Sequence, residues 1–517
     1  MSSGHRQPPS VAERRARREA TRREFFTPAV QANRYAVQKV IGEGAYGVVV
    51  CALDKVTNER VAVKRIKRVL DSSGMATRIL RELKFLRFLH SHENIIAVKD
   101  VLIPGERDKF NDVFVVFELM PTDLGRLLRS KTVLFEKHAK FFMFQLLRGV
   151  NFMHSARVFH RDLNPNNILV NAECQLRICD FGLARAAFQR GDDPVFWTDY
   201  VATRWYRAPE LILAQSSKYS TAIDMWSVGC IFAEILGKGK PLFPGANAKE
   251  QFSLILNVTG KPSRQVIARL GDRRLADYMD SVPNRPPASL ADMYKGASPG
   301  AISLLQRLLT FDPDQRITAL DALELPYFDD LRHFGYGQQT QALDERDFQF
   351  ERRLFTANEM RVEFIKEIAA HHPEAVEELL GGPAARAGGG YRFMGPSQAE
   401  QFRQDMDNND LQNGSKFRTL STDTFAAINP EEQPQAGTLN FKSSTMGEAE
   451  LSKYGGAPDH HASSFANHAH LSGGAGYQPP QGPGSGKDRP MNPDMMSGIE
   501  PAANANGSGN GAYVGAR

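Results

Sequence analysis

Apolar residues recur with regular spacing from Arg34 to about Gly382, and the regularity ends there. Near the start of this stretch, YAVQKVIGEGAYGVVVCALDKVTNERVAVKRIK alternates apolar and polar positions in two or three short runs. The runs break at GEG and again at KVTNE, which predicts an antiparallel β-meander. The period then changes to that of a helix in TRILRELKFLRFLH. Further on, FFMFQLLRGVNFMHSARVFHRDLNPNNILV runs as an apolar helix into a loop, and LRICDFGLAR follows as a short strand ending at Asp-Phe-Gly.

The flanks differ from this core. VAERRARREATRRE, from Val11 to Glu24, is strongly charged and reads as an exposed tail, with a solvated helix, a nuclear localisation patch or a docking arm as alternatives. Beyond Gly382 the chain is rich in Gly, Asn, Gln, Ser and Pro and poor in branched aliphatics. It cannot bury enough surface to offset its ordering entropy, so disorder is expected over 383–517. A chain of 517 residues holds two or three ordinary units or one larger two-lobed unit with tails. No internal repeat is present.

Composition excludes several function classes. A net charge of +5 forces neither a nucleic-acid nor an acidic-membrane reading. Four scattered cysteines (Cys51, Cys174, Cys179 and Cys230) lack metal-ligand spacing and suit reduced thiols in a cytosolic or nuclear compartment. The longest apolar segment, AIDMWSVGCIFAEIL, carries Asp224 and Glu234 and falls short of the roughly 18 apolar residues of a membrane span. The arginine-rich start has no apolar stretch behind it, so no secretory signal is expected.

The chemistry resides in spacings. Gly42, Gly44 and Gly47, with Val49, form G-x-G-x-x-G-x-V, where missing Cβ atoms let backbone N–H groups approach phosphate oxygens. Alone, the pattern equally fits a glycine-bearing hairpin with no ligand. VAVK then places Lys64 on the next strand and Glu82 follows on the helical segment, so the two can pair and aim the ammonium at α- and β-phosphate oxygens. The alternative is two solvated surface charges. In the later loop, Asp162 can accept or orient a hydroxyl proton, while Asn167 and Asp180 offer hard oxygen ligands for Mg²⁺. A turn-capping role for Asp180 leaves unexplained why Asn167 stands at the H-R-D-L-x-x-x-N offset from His160.

With these motifs in order, the chain resembles the eukaryotic protein kinases from about Arg34 to Phe334. The resemblance implies an α+β, bilobal fold, with a small β-rich lobe, a large helical lobe and ATP with Mg²⁺ in the cleft. It implies nucleotide contacts from Ile41, Gly42, Gly44, Gly47, Val49, Ala62, Lys64, Glu118, Met120 and Asp123, with Glu118 to Met120 as the hinge and Phe117 as a bulky gatekeeper. Ala208 to Glu210, Asp224 and Arg316 match the family's supports for the large lobe, with Glu210 and Arg316 as an expected buried pair. In FWTDYVATRWYRAPE, Thr198-Asp199-Tyr200 resembles the dual phosphorylation site of plant-type mitogen-activated protein kinases, and DFQFERRLFTANEMRVEFIKEIAAHHPE extends that resemblance to about Gly382. The implied organisation is a basic arm over 1–33, a kinase domain over 34–334, an extension packing on it over 335–382, and the tail.

The same resemblance carries Arg81, Arg161 and Arg185 over as a phosphothreonine site, and Arg204 and Arg207 as the phosphotyrosine site. Three guanidinium groups about 5 Å apart repel pairwise by roughly 3 kcal/mol at an effective dielectric of 20, so without an anion they should stay splayed. Phosphate would bridge them and complete the Lys64–Glu82 pair. Thr203 implies serine/threonine specificity and the motif around Arg207 implies Ser-Pro and Thr-Pro targets, of which the chain itself has only Thr27-Pro28 and Ser298-Pro299. Implied partners are an upstream dual-specificity kinase, such protein substrates and phosphatases, with no nucleic acid and no membrane; cytoplasm and nucleus are the expected compartments.

Two departures stand out. Asn164 replaces a lysine that in the family reaches the γ-phosphate, which predicts a slower enzyme, with a dead pseudokinase acting as a scaffold as the alternative. A simple lesion predicts higher turnover for Asn164→Lys, whereas local repacking predicts equal or lower turnover. Second, His333 stands where the family's docking patch carries an acid, with Asp329 and Asp330 as substitutes. An interaction protein driven by the tail and the basic arm is the remaining reading.

Overall fold

The computed structural model describes Phe25 and residues 33–44, 47–187, 204–213, 220–269, 279–280, 282–376, 379 and 392–393. Thr27-Pro28, Thr198, Asp199, Tyr200, Thr203, the charged run over 11–24 and almost all of 383–517 lie outside the described residues.

The predicted meander forms β1 (Tyr35–Gly44), β2 (Gly47–Asp54) and β3 (Glu59–Ile66), and two strands outside that prediction, β4 (Val98–Val101) and β5 (Val113–Glu118), complete a five-stranded sheet. The strand order is β1-β2-β3-β5-β4, antiparallel throughout. Alternation is interrupted in β1 by register shifts at Val37/Lys39 and Val40/Gly42, and it gives way in β2, where GVVVCALD is buried almost along its length. Both faces of this strand are covered. Val49 and Cys51 face the main core, while Val48, Val50 and Ala52 join a second cluster with Val61, Val63, Phe114 and Val116. Phe25 belongs to that second cluster, meeting Phe114 edge to face at 5.7 Å between centroids, and its carbonyl accepts from Arg65 Nη1 at 3.1 Å. The arm preceding the sheet is therefore not solvent-exposed at Phe25.

Helix α1 (Ser73–Leu89) starts where the Ser72 hydroxyl accepts from Met75 N at 3.4 Å, and it buries Ile79, Leu80, Leu83 and Leu86. Helix α2 (Glu136–Ser155) places Phe142, Leu146, Val150 and Met153 in the core of the helical lobe. At the centre of that lobe lies α3 (Ala222–Leu236), buried from Ala222 to Ile235. Its two acids are both partnered: Glu234 Oε2 accepts from Tyr206 Oη at 2.6 Å, and Asp224 anchors the catalytic loop as described below. Glu210 and Arg316 form the expected buried pair, with Nη1 and Nη2 at 2.7 and 3.0 Å from the two carboxylate oxygens. A final helix, α4 (Ala357–His371), begins with a reciprocal Thr356–Glu359 capping box and returns to the sheet lobe. All four cysteines are buried as free thiols, and among the described residues no helix is long and apolar enough to cross a membrane.

Candidate active site

Lys64 lies in the middle of β3, opposite Val49 on one side and Val115 on the other. Its ammonium Nζ stands 3.1 and 3.2 Å from the two oxygens of Glu82 on α1, and the side chains are 14% and 8% exposed. Burial pulls the ammonium's pKa down, but Glu82 and Asp180 outweigh it and hold the group above its ordinary value, so it stays charged. The pair is therefore not two solvated surface charges.

The loop carrying HRD is anchored from below. Asp224 at the start of α3 accepts the His160 and Arg161 backbone N–H groups, both at 2.9 Å, and lies 3.0 Å from His154 Nε2. The His160 ring meets Phe181 edge on at 4.9 Å, with Nε2 3.0 Å from the Cys179 carbonyl oxygen. Arg161 and Asp180 both adopt left-handed backbone, at φ 67° and 64°, conformations that cost a non-glycine residue energy and are held here by these contacts. The result aims two amides at one carboxylate. Asn167 Nδ2 donates to Asp162 Oδ2 at 3.0 Å and Asn164 Nδ2 donates to Oδ1 at 3.2 Å. Burial, and next the neighbouring Asp180, push the Asp162 carboxyl up to about 7. For Asp180, burial acts upward, but Arg78 and Lys64 outweigh it and keep the carboxyl below its ordinary value.

Asn167 supplies a test of the expected metal. Its amide N–H groups are spent on Asp162, whereas its Oδ1 is buried and accepts no hydrogen bond. An orphaned amide oxygen and an ionised carboxylate are hard donors, the set that Mg²⁺ takes alongside phosphate oxygens and water. Asn167 and Asp180 fit that ion.

Of the expected nucleotide contacts, Ile41, Val49, Ala62 and Met120 are buried apolar positions in the main core, as is Phe117. Gly42 pairs with Val49 and Gly44 with Gly47 across the β1–β2 turn. At Gly47 a Cβ would collide with the Arg65 carbonyl on β3, so sheet packing demands glycine there irrespective of phosphate. Glu118 and Asp123 have side chains committed to protein partners. Glu118 Oε1 accepts from Ala97 N at 3.0 Å and Arg177 Nε at 3.1 Å, and Asp123 caps the helix over Leu124–Arg129 through Arg126 N at 2.8 Å. Burial raises the Asp123 carboxyl to about 6.

Comparison with known proteins decides the family. A family model described as the protein kinase domain matches residues 35–328. The chain is 46% identical over 381 residues to "Mitogen-activated protein kinase 8" of Arabidopsis thaliana, covering 74% of this chain and 64%, under two thirds, of that relative. It is 44% identical over 413 residues to "Mitogen-activated protein kinase 15" and 45% identical over 381 residues to "Mitogen-activated protein kinase 9" of the same plant, covering 80% and 74% of this chain and 70% and 73% of those relatives. The chain belongs to the mitogen-activated protein kinases. Members of this family are serine/threonine protein kinases, and the bilobal architecture described above is that of the protein kinase domain.

The arginines assigned to phosphothreonine gather on the backbone that follows Asp-Phe-Gly. They are not splayed. Arg81 Nη1 donates to Gly182 O at 2.9 Å, Arg161 Nη1 to Leu183 O at 3.3 Å, and Arg185 Nη1 to Ala184 O at 2.8 Å and Leu183 O at 3.4 Å, so the three guanidinium groups converge on three consecutive carbonyls. Arg81 Nε donates to Glu351, a residue the sequence did not single out, and the Lys64–Glu82 pair is formed in this arrangement. The expected repulsion is offset by that carboxylate. Arg204 is placed elsewhere, its Nη1 donating to Ala246 O at 3.0 Å; Arg207 lies three residues on, with its backbone N–H bonded to Arg204 O.

Three further positions complete the comparison of sequence reading with structure. Arg78 on α1 approaches to 3.7 Å from Asp180, and its signal was its position one turn before Glu82 on the same helix face. Asn164 is only 4% exposed and points inward, its Oδ1 accepting from Asn166 N at 3.0 Å and so capping the short turn over Pro165–Asn167. At the suspected docking patch, the His333 ring meets Phe334 at 4.1 Å between centroids in a tilted arrangement, and Asp330 and Asp329 pair with Lys140 at 3.1 Å and Arg332 at 2.6 Å.

Proposed function

We propose that this mitogen-activated protein kinase transfers the ATP γ-phosphoryl group to Ser and Thr hydroxyls that precede proline, and that phosphorylation of Thr198 and Tyr200 activates it. The observation that carries the reading is the convergence on Asp162 of the Asn164 and Asn167 amides, with Asp180 and the charged Lys64–Glu82 pair completing the cleft. In the reaction an O–P bond forms at the acceptor oxygen while the bond from the γ-phosphorus to the β,γ-bridging oxygen breaks and ADP leaves. Asp162, held by two amides, takes or orients the acceptor's proton. Lys64 neutralises α- and β-phosphate oxygens, and Glu82 keeps that ammonium from swinging away. Mg²⁺, held by Asn167 and Asp180, would neutralise charge on the transferring group.

Arg204 and Arg207 supply guanidinium groups at the far end of the activation segment, which supports the two-phosphate switch. An upstream dual-specificity kinase, Ser/Thr-Pro substrates and phosphatases complete the proposed circuit, in cytoplasm and nucleus. The test is γ-phosphate transfer to a generic proline-directed peptide before and after treatment with an activating kinase. Thr198→Ala and Tyr200→Phe proteins are expected to keep ATP binding and lose at least about tenfold in peptide turnover, equivalent to about 1.4 kcal/mol of transition-state stabilisation. Undiminished turnover in both would remove the switch.

The inward geometry of Asn164 supports local adaptation at that position rather than a simple lesion. Asn164→Lys should therefore lower turnover or leave it unchanged, because an ammonium cannot accept from Asn166 N and the cap on this turn is lost, at about 1 kcal/mol. A turnover increase would restore the lesion reading.

A further inference from the structure

The C-terminal extension carries a carboxylate into the arginine cluster. Glu351 closes the 3₁₀ stretch Glu345–Arg352 and its side chain is 18% exposed. One carboxylate oxygen accepts from Arg81 Nε and the other lies 3.9 Å from Arg185 Nε. Burial acts to raise this carboxyl, but Arg81 and Arg185 outweigh it and hold it below its ordinary value, so the group is ionised. Two phenylalanines of the same stretch are anchored on α1. Phe348 packs on Phe85 at 4.6 Å between centroids, and Lys84 Nζ stands 5.6 Å over the ring of Phe350. The grip continues along the same helix, where buried Glu367 of α4 accepts from Arg87 Nε at 2.6 Å and meets Lys84 at 3.3 Å. Arg81, Lys84 and Arg87, spaced three apart on one face of α1, thus each end on a carboxylate from beyond residue 350.

Position gives Glu351 more than a strapping role. Arg81 belongs to α1, the helix of Glu82; Arg185 follows Asp-Phe-Gly; and Arg161, whose charge also acts on Glu351, belongs to the catalytic loop. A single carboxylate there offsets the mutual repulsion of guanidinium groups from three elements that must be aligned for transfer. We infer that Glu351 is a positioning residue, a resident counter-ion that gathers Arg81 and Arg185 and so holds Glu82 against Lys64 without help from a phosphate. The inference rests on the reading of this cluster as the phosphothreonine site. It makes part of the assembled state independent of Thr198, because an anion is built into the chain.

The experiment uses the full-length chain as wild type, Glu351→Gln and Glu351→Asp, each assayed unphosphorylated and doubly phosphorylated. Glutamine keeps the volume and removes the charge. In the unphosphorylated form kcat toward a proline-directed peptide should fall by about tenfold, as expected when one partner of a part-buried charge cluster is neutralised. After phosphorylation the loss should shrink to about threefold or less, because phosphate supplies the missing anion. Glu351→Asp should recover part of the unphosphorylated rate. An equal fall in both forms, or no fall in the unphosphorylated form, overturns the inference in favour of a purely structural strap. A second readout does not need catalysis. Inorganic phosphate, compared with chloride at matched ionic strength, should raise the melting temperature of Glu351→Gln more than that of wild type, and identical increments overturn the inference even where no transfer is detected in any form.

Discussion

Asp162→Asn is expected to abolish transfer and, at the same time, to make the folded protein more stable at alkaline pH. The first effect follows from losing the group proposed above to accept or orient the acceptor proton, a contribution of about 10²–10⁴ in rate. The second follows from its titration. Burial and then Asp180 raise the folded-state carboxyl from 3.8 to about 7. The folded state therefore binds this proton more tightly than the unfolded chain does, and stability present below about pH 4 is lost as the pH rises to about 7. The full linkage penalty above pH 7 is about 4 kcal/mol. Asparagine removes it but faces the amides of Asn164 and Asn167 with one acceptor instead of two, which returns about 1–2 kcal/mol. A net gain of roughly 2 kcal/mol remains at pH 8 and vanishes near pH 4. Urea unfolding of both proteins at several pH values reads this directly, and a variant less stable than wild type at pH 8 would mean that Asp162 ionises like an ordinary carboxylate.

Arg316→Ala should have the largest effect on stability. Arg316 has no exposed side-chain surface, and its donors are spent on both oxygens of Glu210 and on the carbonyls of Ala222, Thr310 and Phe311. Truncation removes both of Glu210's hydrogen bonds to Arg316 and the guanidinium donors to three carbonyls. A cost of about 3–5 kcal/mol is expected, lowering the melting temperature by roughly 6–12 °C. The damage should spread to the active site, because the Ala222 carbonyl is two residues from Asp224, which holds the His160 and Arg161 backbone. A melting temperature within about 2 °C of wild type would show that the pair contributes little net stability.

Much of the candidate site was legible along the chain because its chemistry is local. Asp162, Asn164 and Asn167 lie within five residues, and the hydrogen bonds joining them reach only that far. The G-x-G-x-x-G spacing likewise places Gly44 opposite Gly47 in a turn, although Gly47 is required by the neighbouring Arg65 carbonyl as well as by any ligand. Alternating and helical periods located β1 to β3, α1 and α2, since burial on one face imposes a repeat on the residues themselves, whereas α3 is buried from Ala222 to Ile235 and carries no such repeat. The period weakened in β2 for a tertiary reason: Phe25 and its cluster cover the face that a two-layer lobe would leave wet.

By itself, the order and spacing of motifs carried the resemblance to the kinase family, which in turn implied the two-lobed architecture, and set the residue types around the cleft, because motif spacing depends on short-range stereochemistry. Tertiary structure alone decided which charges meet. Arg81 and Glu351 are 270 residues apart, and Arg87 and Glu367 280 apart, so no periodicity links them. Asn164 likewise could be read as a missing cation until its amide was seen turned onto Asp162 and its oxygen onto Asn166. A repeat in the sequence reports that a face will be covered. The partner that covers it, and the direction in which a polar side chain turns, are set by the packing of elements distant in the chain.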